Sequence, residues 1–427
     1  MAQVYGSSHC NIAAANAHNG TKGLFRHRRW AALPPSSVQI RWRDQPLSCK
    51  VIREDFWSGE LLSEPLHVRA WVYQERMLAP RTVHFGKRQI MWQCASLTAC
   101  ESMPDGLPTA LSDLTTEERT WRRSLPLLTR HENLSKDQLA NMQRMWRTSV
   151  EGYTQCSLTK QRDKLVAIAG IANMVQVALN EVYFAGLWQE NLVEQLAWRV
   201  SADASLPTRQ ASLWQQYRAP SWAWPSVEGT IELPVRVLQH RDYALDIAYR
   251  SPQIELLDPA IPLGEIKSGS LRGRGQLYTM AFSNTDSPRK GWTWGVKTAK
   301  NQHTWCYLFP DRPLSALAMH KNRIYGQERG PERSMVDIDS NSVILTVLML
   351  AYTFRPKGQP PEGYTGHALA LQHAGSRGTY SRVGLIAFRS LSAESWALLQ
   401  QARLRSREAA WSEAFDDMSG FHTVVLV

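Results

Sequence analysis

Cysteine is scarce: six residues (Cys10, Cys49, Cys94, Cys100, Cys156 and Cys306) are spread over 427 positions. That excludes a disulfide-built scaffold and leaves an ordinary side-chain core as the source of stability. Long apolar runs are also missing. The longest, residues 343–352, contains Thr346 and is strand-sized, whereas a membrane helix needs about 20 apolar residues. No basic stretch followed by an apolar run opens the chain, so no secretory signal is expected. No internal repeat and no glycine-x-serine-x-glycine elbow occurs, and the scattered histidines offer no triad. These absences lead to the expectation of a reduced, cytoplasmic protein with no membrane partner and no nameable reaction.

The rest of the composition is that of a globular chain, 43% hydrophobic and 20% charged, with 25 glycines and 22 prolines. Its length is enough for two or three cores. Two biases stand out. Seventeen tryptophans run from Trp30 to Trp411, and rings of that size usually anchor cores. The formal net charge is +11, which could favour nucleic acid or an acidic membrane surface. The basic residues are dispersed, with short clusters only at Arg26-His27-Arg28-Arg29, Arg41-Trp42-Arg43 and Arg122-Arg123. They read as solvated surface, and no nucleic-acid-binding motif accompanies them.

Along the chain, Ile12-Ala13-Ala14-Ala15 reads as a short buried strand or helix end. Residues 66–93 look β-like. Residues 68–73 could pack one face, and 82–85 with 89–92 form a hairpin around Gly86-Lys87, while 74–78 could instead turn helically. Ser135 and Gln138 fit a capping box ahead of Leu139, Met142, Trp146, Val150 and Tyr153 at helical spacing. Further helices are expected over about 163–179 and 191–200. From Tyr217 onward short alternating segments (230–233, 243–247, 271–273, 343–354, 367–372, 382–388) read as antiparallel strands, with a helix pair over 393–418. Residues 327–339 and 356–366 read as polar loops.

Arg69-Ala70-Trp71-Val72-Tyr73-Gln74-Glu75-Arg76-Met77-Leu78-Ala79-Pro80-Arg81 closely resembles the signature block of the fungal heterokaryon-incompatibility (HET) domain. Val83-His84-Phe85, residues 89–94 and Glu101 look like its continuation, and residues 1–25 resemble the segment before it. Leu158-Thr159, Arg162-Asp163-Lys164-Leu165, Ala185-Gly186-Leu187-Trp188 and Tyr217-Arg218-Ala219-Pro220-Ser221-Trp222-Ala223-Trp224 are similar to stretches that follow HET domains. Arg382-Val383-Gly384 is a later echo. Two blocks that open the family's domain, one with leucine-serine-tyrosine-x-tryptophan-glycine, do not occur here. The chain is therefore expected to hold the later part of a HET domain, truncated at its N-terminus. Apolar surface should then be exposed around 12–15, and the first 100 residues should be poorly stable.

The resemblance implies a TIR-like, flavodoxin-like α/β remnant over 1–110, a helical HET-associated block over 111–210 and a β-rich region with terminal helices over 211–427. It also implies fungal non-self recognition, with growth arrest or programmed cell death signalled through a protein partner. Two alternatives are a TIR-like NAD hydrolase, with NAD as substrate rather than cofactor, and a degenerate inactive fragment.

Candidate chemistry rests on few residues. The signature set is Arg69, Trp71, Gln74, Glu75, Arg76, Pro80 and Arg81. Within it Glu75 is the candidate acid/base, against the alternative that Glu75 or Arg76 forms a pinning ion pair. Cys94, Cys100 and His84 lack the duplicated spacing of a zinc site, so no metal is expected and the cysteines read as structural thiols. Gly269, Gly273 and Gly275 mimic a phosphate loop but read as a turn. Trp222 and Trp224, two apart, would share one face of a strand. That face is either a partner-binding patch or the seam between the helical block and the β-rich half.

Overall fold

A computed structural model of the chain describes residues 2–25, 35–112, 115–129, 134–201, 217–234, 242–247, 252–284, 292–297, 303–312, 342–356, 358, 362–406 and 412–427. They fall into two units, Met1–Glu181 and Val182–Val427, of mixed α and β content. The loop expected at 327–339 and the cluster Arg26-His27-Arg28-Arg29 lie outside the described residues.

The first unit opens with α1 (Ala2–Gly6), β1 (Asn11–Ala13) and a hairpin of β2 (Ser36–Trp42) and β3 (Gln45–Val51). The signature block forms α2 (Ala70–Leu78), which corrects the strand expected over 68–73. Buried Ala70, Tyr73, Gln74 and Met77 recur at helical spacing, and glutamine, glutamate, arginine, methionine and leucine all favour helix. The hairpin expected next is present as β4 (Arg81–Phe85) and β5 (Ile90–Cys94), followed by β6 (Thr98–Cys100). The sheet order is β1-β4-β5-β6, parallel between β1 and β4 and antiparallel beyond. In the 12–15 segment Ala13 and Ala15 are buried, while Ile12 is 61% exposed.

Helices α3 (Thr109–Ser112), α4 (Thr116–Thr129), α5 (Lys136–Thr154) and α6 (Ala169–Leu179) complete this unit. The Ser135/Gln138 capping box opens α5, and Met142, Trp146, Val150 and Tyr153 line its buried face. At Gly152 the helix comes so close to α2 that a Cβ would sit 2.9 Å from the Tyr73 ring. The helix expected over 163–179 begins instead as two 3₁₀ turns, Gln161–Lys164 and Val166–Ile168. The Tyr153 hydroxyl donates to the Lys164 carbonyl at 2.7 Å, an acceptor that a continuous α-helix would use itself.

The second unit starts with β7 (Tyr183–Phe184), β8 (Leu187–Trp188), α7 (Leu192–Gln195), β9 (Arg199–Val200) and β10 (Ile231–Glu232). The helix expected over 191–200 stops early because Arg199 and Val200 pair with β10. Then follow β11 (Asp242–Tyr243), β12 (Leu245–Ile247), β13 (Gln253–Leu256), β14 (Ile266–Gly275), β15 (Leu277–Asn284), β16 (Trp292–Lys297) and β17 (His303–Pro310). The chain continues with β18 (Ser342–Arg355), β19 (Gly363–His373), β20 (Thr379–Leu391), α8 (Ala393–Gln401), β21 (Ala414–Asp416) and β22 (Phe421–Leu426).

Among the described residues β11 to β22 form one sheet. It is antiparallel except where β20 meets β22. Tyr278, Met280, Phe282, Leu345, Val347, Ile386 and Phe388 build its core. The second helix expected within 393–418 is absent among the described residues, where 414–416 is a strand against β22. The loop expected over 356–366 is shorter, since β19 begins at Gly363. Gly269, Gly273 and Gly275 lie in β14 rather than in a turn. A Cβ at Gly273 or Gly275 would press within 2.9 Å of Leu245 or Leu348, so these glycines serve sheet packing.

Arg382 fixes this unit from within. Its side chain is fully buried and forks onto Asp311, with Nε to Oδ2 at 2.9 Å and Nη2 to Oδ1 at 3.2 Å. It also donates to the carbonyls of Leu196 (2.6 Å) and Trp198, and stacks 3.4 Å over the Trp198 ring. Removing one partner of a buried pair strands the other charge. Asp311→Ala should therefore cost about 3–5 kcal/mol, and Asp311→Leu with Arg382→Met together should cost less than either alone. Urea unfolding of the full chain measures both.

Candidate functional site

Helix α2 is the centre of the first unit because its residues point in three directions. On one side Trp71 Nε1 donates to Asp163 Oδ2 at 3.3 Å, and the Gly170 amide donates to Gln74 Oε1 at 3.1 Å. Gly170 lies in the first turn of α6, where amides lack an intrahelical partner, so Gln74 caps a helix 96 residues away in sequence. At the helix start Arg69 is exposed, with its backbone bridged to Ser157. At the end, Ala79 is the C-cap and half-buried Pro80 follows it. Exposed Arg81 reaches the His9 carbonyl at 3.3 Å.

On the second side Arg76 enters a buried polar cluster. Arg76 pairs with Glu118 of α4, and Arg122, one turn further, reaches the same carboxylate at 3.6 Å. Gln93 of β5 donates to Glu118 Oε2 at 2.6 Å, and its Oε1 lies 3.0 Å from His84 Nε2. Arg122 also donates to the Arg76 carbonyl at 3.0 Å. The His84 and His67 rings meet edge to face with centroids 4.9 Å apart. Arg122 therefore belongs to the interior, which corrects its reading as solvated surface. Arg123 does lie outside, bonded to the Ala95 carbonyl at 2.8 Å.

The electrostatics of this cluster are one-sided. Burial pushes the Glu118 carboxyl up, but Arg76 and Arg122 more than reverse that and hold it at about 2. Burial, reinforced by the Arg76 guanidinium, lowers His84 to about 3. Burial also drives His67 well below its ordinary value, helped by His84 and Arg76. At neutral pH the cluster is thus two arginines on one fixed anion beside two neutral imidazoles. Both ring nitrogens of His67 and Nδ1 of His84 have no hydrogen-bond partner among the described residues.

On the third side Glu75 is half-buried and turned toward α1, where it accepts a hydrogen bond from the Tyr5 hydroxyl. Burial raises its carboxyl, and Tyr5 and Arg69 oppose that only in part. A carboxyl raised in this way is suited to proton exchange. The pinning ion pair weighed against it is made by Arg76, on a helix rather than a strand.

Other candidates separate. Cys100 is buried and Cys94 half-buried, both as free thiols. No group of three potential metal ligands occurs among the described residues. Trp222 and Trp224 are fully buried and lie on a turn running into a 3₁₀ segment, Trp224–Ser226, which corrects the strand and leaves no exposed face for a partner. The Trp222 carbonyl accepts from Trp198 Nε1 at 2.9 Å, and Trp224 Nε1 donates to the Gly186 carbonyl at 2.9 Å. Gly186 has φ +99°, and a Cβ there would meet Trp224 Nε1 at 2.3 Å.

Sequence reasoning missed Glu118, Arg122, Gln93 and His67 as partners of the signature. The available signals were the four-residue spacing of Glu118 and Arg122 on one helix face and the alternation that turns Gln93 inward on β5. The depressed histidines set the acid behaviour. The unfolded chain takes up protons on His67 and His84 below about pH 6.5, whereas folded His84 does so only near 3. Stability contributed by this pair is present above pH 6.5 and is lost as pH falls toward 3; Glu118 adds a loss between 4.5 and about 2. Urea midpoints from pH 7 to 4 should fall, and His84→Gln should flatten that fall.

Residues 1–75 match a family model described as Heterokaryon incompatibility protein (HET). No curated protein and no solved structure matches the chain. The matched segment includes Arg69, Trp71, Gln74 and Glu75 and ends one residue before the Arg76 anchor. With that segment in its first unit, the chain is a HET domain-containing protein.

Proposed function

We propose that this protein acts in fungal non-self recognition, signalling growth arrest or programmed cell death through contact with a protein partner in the cytoplasm. The HET match over residues 1–75 carries the reading. The roles of Trp71, Gln74 and Arg76 support it, because each is committed to holding helices together. A segment built in this way is a rigid platform for presenting a surface. The β-rich second unit would sense the partner and the HET unit would execute.

A second reading is favoured by one observation. Glu75 is half-buried with a raised carboxyl and a hydroxyl partner, and it sits on the helix between the parallel strands β1 and β4. A helix joining parallel strands is the unit of flavodoxin-like sheets, which supports a TIR-like fold and an NAD-hydrolysing role for Glu75. Induced expression in a fungal host, with viability and cellular NAD followed together, separates the readings. Signalling predicts arrest with NAD unchanged and Glu75→Ala still active. Hydrolysis predicts NAD loss abolished by Glu75→Ala. Unimpaired growth at full expression would reject both and leave a degenerate, inactive chain.

A further inference from the structure

The hairpin of β2 and β3 is built unlike the rest of the first unit. Among the described residues its strands pair only with each other. Every residue of β2 is exposed, as is every residue of β3 except half-buried Cys49. The register pairs Ser36 with Val51, Val38 with Cys49, Ile40 with Leu47 and Trp42 with Gln45. Directly opposed residues share a face, so Val38, Ile40, Trp42, Leu47, Cys49 and Val51 form one continuous apolar strip. Alternation puts Ser37, Gln39, Arg41, Pro46, Ser48 and Lys50 on the other face.

A two-stranded hairpin is marginal in water unless its apolar face is covered. Here Val38 is 43% exposed, Ile40 41%, Leu47 48%, Val51 56% and Trp42 65%. The charge is equally biased. The strands carry Arg41 and Lys50 and no acid, and Arg43 and Asp44 make the turn beside Trp42, both at positive φ. Trp42, the most exposed residue of the strip, is flanked in sequence by Arg41 on the opposite face and Arg43 in the turn.

We propose that this hairpin is a docking element for an anionic lipid surface. Its apolar strip would enter the headgroup region, Arg43 at the tip would meet lipid phosphates, and Arg41 and Lys50, on the opposite face, would reach them around the ribbon's edges. Charge complementarity favours that occupant, since tryptophan and arginine side by side suit an interface that is apolar on one side and anionic on the other. Size disfavours a second copy. Seven residues at about 3.4 Å and two strands at about 4.8 Å cover about 230 Å², against about 800 Å² per partner in a stable protein interface. The expectation of no membrane partner arose from the missing long apolar runs, and the short Arg41-Trp42-Arg43 cluster read as solvated surface. The fold sets three basic residues on one ribbon, Arg43 at the tip of the apolar strip and Arg41 and Lys50 on the other face.

The test is co-sedimentation of the full chain with phosphatidylserine/phosphatidylcholine vesicles and with pure phosphatidylcholine vesicles, at low salt and at physiological salt. The proposal expects binding to the anionic vesicles at least about tenfold stronger, and weakened by salt. Trp42→Ser and Ile40→Ser, which leave the charge of +11 unchanged, should each cut that binding about tenfold, with far-UV dichroism unaltered. Arg41→Gln with Arg43→Gln should remove most of the salt dependence. No binding to anionic vesicles would overturn the proposal. So would binding that Trp42→Ser leaves intact, which would mark simple attraction to a basic protein. Self-association in sedimentation velocity that Trp42→Ser abolishes, without vesicle binding, would reassign the strip to a second copy.

Discussion

Two arginines from different helices share one half-buried carboxylate in the first unit, and its architecture depends on that arrangement. Arg76 comes from α2 and Arg122 from α4, and Glu118 lies between them with Gln93 of β5 completing its shell. Buried charges are tolerated only when neighbouring groups replace water on every side. The cluster therefore dictates how α2, α4 and β5 must meet. It leaves one net positive charge in the interior, and the neutral, depressed histidines beside it follow from that. A like-charged imidazolium would have no anion left to answer it.

The second unit uses the same device with different chemistry. Arg382 brings the loop after β17, the β20 strand and the segment ending α7 to one point, with a fork onto Asp311, two carbonyls and the face of Trp198. Guanidinium is suited to this, being planar, weakly hydrated and permanently charged. In both units the tryptophans cement the surroundings. Trp121 donates to the Met77 carbonyl at 2.7 Å, and Trp198 and Trp224 hold the turn before β10.

Legibility differed by kind of signal. The Ser135/Gln138 box, the apolar face of α5, the β4–β5 hairpin and the long alternating strands of the second unit were readable, because local periodicity and capping report on backbone geometry directly. The signature block was readable as a motif but misread as a strand over 68–73, since Val68, Trp71, Val72 and Tyr73 favour strands while their positions obey helical spacing. Trp222 and Trp224 were misread for a related reason, because alternation of two rings says nothing when both are enclosed. The glycines of β14 could not be understood without Leu245 and Leu348, the side chains that crowd them.

The sequence by itself determined the HET relationship, the capped helix and the β-rich second half, all of which depend on residues near one another in the chain. Tertiary structure alone decided which side chains meet: Gln74 with Gly170, Arg76 with Glu118, and Arg382 with Asp311. Charge and burial act through space, and residues 40 to 100 positions apart carry no mark in the sequence of the few ångströms that separate them once folded.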